Sequence, residues 1–172
     1  NSSLITETGS YYGINIDTSA SSTIQNVTIQ NVEDRGIELV SVDYSRISGS
    51  VINNSFRGIS ADSSESNTFA GNVISDNGDS GIYLGSGSHG NALTNNRIRN
   101  NTNNGVTVSF SSTNRIHDNN ISLNAGTAAV YVTSSARTVI SNNYFGSNTT
   151  RGVELSGLSD NNSVIGNTFN TN

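Results

Sequence analysis

Thirteen carboxylates and two imidazoles are the groups of this 172-residue chain best able to move a proton or hold a cation. Glycoside hydrolysis needs two carboxyls facing one another across a bond. The acids fall instead at scattered positions, among them Asp17, Glu38, Asp43, Asp62, Asp76, Asp79, Asp118 and Glu154. Asp76 and Asp79 belong to Asp76-Asn77-Gly78-Asp79, which reads first as a turn and second as a weak Ca²⁺ site. His89 lies in Ser88-His89-Gly90 without paired Asp motifs around it, and His117 reads as a solvated surface histidine between Ile116 and Asp118. Two His without Cys argue against a transition-metal site, and no cofactor is expected. Ser is abundant, but nothing pairs it with a His and an acid at motif spacing. These residues predict a chain that is not an enzyme.

The elements that position these residues come from a repeat. Asn67-Thr-Phe-Ala-Gly-Asn72-Val-Ile-Ser-Asp-Asn77, followed by Gly81-Ile-Tyr-Leu84, returns as Asn91 to Asn101 with Gly105-Val-Thr-Val108. It returns again from Asn114 to Asn124 and from Asn162 to Asn172. One apolar column runs Ile5, Ile29, Ile52, Ile74, Ile98, Ile121, Phe145, Phe169, at intervals of 22 to 24. A second runs Ile24, Ile47, Phe69, Leu93, Ile116, Ile140, Val164. After a Gly comes a doublet on alternate positions, such as Ile37/Leu39, Ile82/Leu84 and Val130/Val132. Alternation and β-branching predict strands. The whole chain, 1–172, is therefore predicted as one all-β domain. It is a single-stranded right-handed parallel β-helix of about seven rungs, with three short strands per rung. Residues 1–10 form a partial first rung, and no caps are evident.

Bends between strands carry polar columns. Asn72, Asn96, Asn119, Asn143 and Asn167 form one, and Asn77, Asn101, Asn124, Asn148 and Asn172 another. Asn67, Asn91, Asn114 and Asn162 form a third, interrupted by Thr138. An amide donates at one end and accepts at the other, so stacked copies predict ladders along the axis. Asn also tolerates the left-handed backbone of a tight bend, and the column of Gly13, Gly36, Gly58, Gly81, Gly105 and Gly152, with Ala129 as its exception, is expected to mark another bend. Val27, Ser50, Val32 and Ser55 replace Asn in the first rungs, where corners bonded differently are expected.

With these motifs in view the chain resembles the right-handed parallel β-helix superfamily. The likeness is to the short N-x-I-x-x-N-x-I-x-x-N…G-I-x-L repeats of NosD-like and pectate-lyase-like proteins, over residues 11 to 172. That resemblance implies the fold. It leaves function open, because the superfamily includes pectate lyases, polygalacturonases, alginate epimerases, phage tailspikes and structural surface proteins.

Outward positions supply the candidate ligand contacts. Tyr83 and Tyr131 stand two rungs apart, roughly 10 Å by strand spacing, and form a candidate carbohydrate face. The sequons at Asn53 and Asn120 are the candidate glycosylation positions. Eight scattered Arg, no Lys and a net charge of -5 exclude a phosphate-binding stripe and hence nucleic acid as a partner. No apolar run is long enough for a membrane span.

Rungs of 22–24 residues leave no insertion to wall a cleft. The expected function is an extracellular or cell-surface structural protein whose open ends stack head to tail into a filament, its partner being a second copy of itself. The alternative is a polysaccharide-binding or polysaccharide-degrading β-helix, tailspike-like or adhesin-like, working through an outward face.

Overall fold

A strand whose inward positions are Ile or Val can hide only one face, and a parallel partner one turn away supplies the rest of the cover. The computed structural model describes residues 3–6 and 12–171, and builds them from 22 strands in three parallel sheets. Sheet A holds Ser3–Thr6, Val27–Gln30, Val51–Asn53, Val73–Ser75, Arg97–Arg99, Asn120–Ser122, Tyr144–Gly146 and Thr168–Asn170. Sheet B holds Tyr12–Ala20, Arg35–Asp43, Arg57–Asp62, Ile82–Gly85, Val106–Ser109, Val130–Thr133 and Val153–Ser156. Sheet C holds the third short strand of each turn, from Thr23–Gln25 to Ser163–Ile165. The predicted β-solenoid of three strands per turn is what the chain forms. Of the expected partial turn over 1–10, the strand Ser3–Thr6 pairs with Val27–Gln30, and the remainder lies outside the described residues.

Register is strict. Ile74 lies between Ile52 and Ile98, and Leu93 between Phe69 and Ile116. The four apolar columns are sealed in the middle turns, where Ile52, Phe69, Ile82 and Leu84 have no exposed surface. In the last turn the equivalent Leu155, Val164 and Phe169 remain exposed, with no described turn below them.

The bends differ from expectation in one respect. The left-handed residue is the one before each ladder Asn, not the Asn itself: Asp76 (φ 60), Asn95 (φ 55), Asn100 (φ 55) and Asp118 (φ 58) precede Asn77, Asn96, Asn101 and Asn119. The turn thereby aims the following amide inward, where it bonds along the axis. Asn119 Oδ1 accepts from the backbone N–H of Asn96 at 2.9 Å and from its Nδ2 at 3.0 Å. Asn119 Nδ2 in turn donates to Asn143 Oδ1 at 3.0 Å. Asn72, Asn143 and Asn167 continue that ladder, and Asn77, Asn101, Asn124 and Asn148 form its counterpart. Asn172 lies outside the described residues. In the first turns the accepting atoms are Ser hydroxyls, with Ser22 and Val27 donating their N–H to Ser45 and Ser50.

The Gly column also has another cause than a bend. None of Gly36, Gly81 or Gly105 has positive φ. A Cβ on Gly81 would come 2.6 Å from Ile98 Cγ2 and 2.8 Å from the Gly105 carbonyl, so the close approach of the next turn favours glycine here, although Ala129 fills the equivalent position two turns on.

Candidate functional site

Sheet B widens toward its N-terminal end, from four-residue strands such as Ile82–Gly85 to nine-residue ones such as Arg35–Asp43. On that wider part the register stacks residues that looked scattered along the chain. Arg35 pairs with Arg57, Glu38 with Ser60, and Ser60 with Tyr83. Charges of both signs, with three aromatic rings beside them, therefore gather within a few adjacent turns.

Arg57 is the centre of the group. Its Nε donates to Asp79 Oδ2 at 2.7 Å, and its guanidinium lies 4.0 Å from the centroid of the Tyr83 ring. The ring of Phe56, 46% exposed, flanks it at 5.7 Å. The Nη groups of Arg57 carry no hydrogen bond to any described residue. A guanidinium held by one edge and one face keeps the outer fork for a ligand.

Beside it, Arg35 contacts Asp34 and lies 5.8 Å from the Tyr12 ring. Arg35 Nε is 3.1 Å from Glu38 Oε2, yet the two are not aligned as a hydrogen bond and both atoms are buried. Glu38 is only 5% exposed. Burial raises its pKa above the ordinary carboxylate value, and the Arg35 charge opposes that shift. A carboxyl in this setting can both take and return a proton.

Other predicted positions resolve separately. Tyr83 is half-buried and its ring lies along the strand, where a Cβ at Gly85 would meet it at 2.3 Å. Arg57 already covers its face, so Tyr83 belongs to the cluster instead of offering a bare stacking surface. Tyr131 accepts a hydrogen bond from Ser156 Oγ at 2.8 Å, and Thr107 between the two is buried. Asp76 and Asp79 face different partners, Asn100 Nδ2 and Arg57 Nε, and do not converge. No group of three or more His, Asp or Glu able to hold a metal occurs among the described residues. His89 Nδ1 accepts the Ser112 N–H at 2.9 Å, and His117 Nδ1 lies 2.9 Å from Asp118. Of the glycosylation candidates, Asn120 is exposed and Asn53 half-buried, both on sheet A.

The sequence also hides a fourth ladder. Ser88, Ser111, Ser135 and Ser159 accept N–H groups from the preceding turn at the bend between sheets B and C. Its signal was the recurrence of Ser at the repeat period, masked by how common Ser is elsewhere.

The sequence model of a family described as "Right handed beta helix region" matches residues 12–169. No curated protein sequence matches the chain. Among solved structures it is similar to the Azotobacter vinelandii mannuronan C-5 epimerase AlgE6 A-module, with TM-score 0.86 and 21% identity, covering 98% of this chain and 49% of that one. It is similar to the periplasmic alginate epimerase AlgG, with TM-score 0.80 and 17% identity, over 91% of this chain and 47% of that one. The alginate lyase from Paenibacillus sp. str. FPU-7 gives TM-score 0.80 and 17% identity, over 96% of this chain and 66% of the lyase. The chain thus spans about half the length of the two epimerases. At these identities the likeness is one of fold.

These comparisons overturn the expectation of a non-enzymatic structural subunit stacking into a filament. The same coil occurs in the mannuronan and alginate epimerases and in the alginate lyase, so an unbroken rod does not argue against chemistry on its surface. The physical reason is the register: a solenoid assembles a site from residues one turn apart, and no short motif need appear in the chain.

Proposed function

The chain belongs to the right-handed β-helix family, and from that premise we propose that it binds and processes a polysaccharide on the outward face of sheet B, around Arg57. The observation that carries this reading is the guanidinium fixed by Asp79 and Tyr83 with its outer fork unpaired. That fork suits an acidic substituent of a sugar, held in two parallel hydrogen bonds. Phe56 and Tyr12 offer apolar surface for sugar rings on either side. To Glu38, buried one turn away beside Arg35, this reading assigns the exchange of a proton with a bound sugar. Removing a proton beside a sugar carboxylate requires that the growing negative charge be met by a cation, which is the part assigned to Arg57 and Arg35. A setting outside the cytoplasm goes with this reading, and no helix among the described residues is long and apolar enough to cross a membrane.

The test is binding and turnover of alginate by the full chain. Product is read as changed uronate composition or new unsaturated ends by NMR. Arg57→Gln is expected to weaken binding at the sheet B face about tenfold, the order of one lost charge-assisted contact. Glu38→Gln is expected to keep binding and lose product. Binding without product assigns a binding module and removes the proton-transfer role of Glu38. Failure to bind alginate or any polysaccharide of a glycan array overturns the proposal.

A further inference from the structure

Sheet A carries a second arrangement that the sheet B reading does not use. Its strands contain Arg97 and Arg99 and no Asp or Glu, in a chain of net charge -5. Arg97 is exposed and makes no ion pair among the described residues. At the sheet corner the Asp76 carboxyl is held below its ordinary value by hydrogen bonds from Ser75 and Asn100 and also by the Arg99 charge.

Two turns further on, Tyr144 lies down on its own strand. A Cβ at Gly146 would come 2.5 Å from Tyr144 Cε1 and 2.8 Å from its hydroxyl, so the ring occupies the space above the glycine. Asn170 Nδ2 donates to the Tyr144 hydroxyl at 3.1 Å and holds the ring down. Tyr83 lies over Gly85 in the same way, but Arg57 covers it. Nothing among the described residues stacks on Tyr144, which is 38% exposed. A flat ring already fixed in place loses little freedom when a sugar settles on it.

Register sets what surrounds this platform. Arg97, Asn120 and Tyr144 are consecutive members of one outward column. Arg97 therefore stands about 10 Å from the Tyr144 backbone by strand spacing, with the exposed Asn120 between the two positions. Sheet A thus offers a positive charge and an amide in one column and, leaning from its next member toward Gly146, a stacking surface.

We infer that sheet A bears a second, separate binding site for an acidic polysaccharide, with one sugar ring stacked on Tyr144, its neighbour bonded by Asn120, and the negative charge beyond taken by Arg97. The inference rests on the polysaccharide reading of the chain, but not on the sheet B cluster. The acidic class follows from charge: the only ionic groups on these strands are cations, whereas a neutral glucan would leave them unused.

The experiment measures affinity of the full chain for alginate and for neutral dextran, in the wild-type and Arg57→Gln backgrounds. In the Arg57→Gln background, Tyr144→Ala and Arg97→Gln are each expected to lower the alginate affinity of the sheet A site about tenfold, and Tyr144→Phe, which keeps the ring and loses only the Asn170 bond, by less. Arg97→Gln alters an exposed side chain, so it keeps the test valid if Tyr144→Ala fails to fold. If Arg57→Gln alone removes all alginate binding, the sheet A site is overturned and the sheet B site stands. Alginate affinity unchanged by both Tyr144→Ala and Arg97→Gln also overturns it. Equal affinity for dextran overturns the acidic class, and absence of binding by every form overturns both sites together.

Discussion

The guanidinium of Arg57 lies 4.0 Å from the centroid of the Tyr83 ring, one turn further along the chain, while its Nε is fixed by Asp79 at 2.7 Å. Ring, carboxylate and guanidinium therefore hold one another in a single geometry. That geometry spends the edge and one face of the cation and leaves the Nη groups without a hydrogen bond to any described residue.

Replacing Arg57 by Lys keeps the charge and removes the planar fork. Alginate affinity is expected to fall about tenfold, while stability to urea changes by less than about 1 kcal/mol, because the Arg57–Asp79 pair is partly solvated. Parallel binding and urea titrations check this. Unchanged affinity would show that point charge alone suffices and that the fork has no role.

Glu38 makes stability depend on pH in a particular direction. Its folded pKa is raised, chiefly by burial. Its contribution is thus fully present below the unfolded value of about 4.3 and is lost as pH rises through the folded value. Glu38→Gln removes this loss, so the melting temperature of the variant relative to wild type is expected to rise from acid to neutral pH. A difference that stays flat or falls over that range contradicts the assignment.

Thr138 breaks the Asn67–Asn91–Asn114 ladder. Its Oγ1 is buried without a partner, although its own N–H reaches Asn162 Oδ1 at 2.7 Å. Thr138→Asn would present an amide oxygen to the Asn114 N–H, and a gain of about 1 kcal/mol is expected. Asn119→Ala does the opposite in an intact ladder and is expected to cost about 3 kcal/mol, since it strands several buried groups. Urea denaturation of both variants measures the pair.

Gly81→Ala is expected to destabilise by about 1–3 kcal/mol, through the clash with Ile98 and the Gly105 carbonyl and not through φ. Trimming Ile98 to Ala in the same chain should recover part of that loss beyond simple additivity. Strict additivity of the two changes would locate the cause elsewhere.

The core columns were legible because burial leaves no freedom: an Ile at the position of Ile74 must recur once per turn or expose its neighbours. Amide ladders were legible for the same reason, through Asn96, Asn119 and Asn143. Which residue bends left-handed was not, since Asp118 and Asn119 have similar turn chemistry and only the backbone separates them. The cluster at Arg57 was hidden more deeply. Glu38 and Tyr83 share an outward column at the repeat period, but nothing in the chain joins Arg35, Arg57 and Asp79 to it until the sheet B register and the Arg57–Asp79 bond do so. Tyr83 was singled out for its outward position, but the cation covering it could not be read from the chain.

Residue-for-residue pairing between neighbouring turns has an evolutionary corollary. Copying one whole lap would lengthen the rod while preserving every inward contact type, whereas gaining or losing a single residue inside a strand would turn its greasy side out to water. Length is thus free to drift in units of a lap, and surface chemistry free to drift by point substitution. A family built this way can change what it grips without renegotiating how it folds.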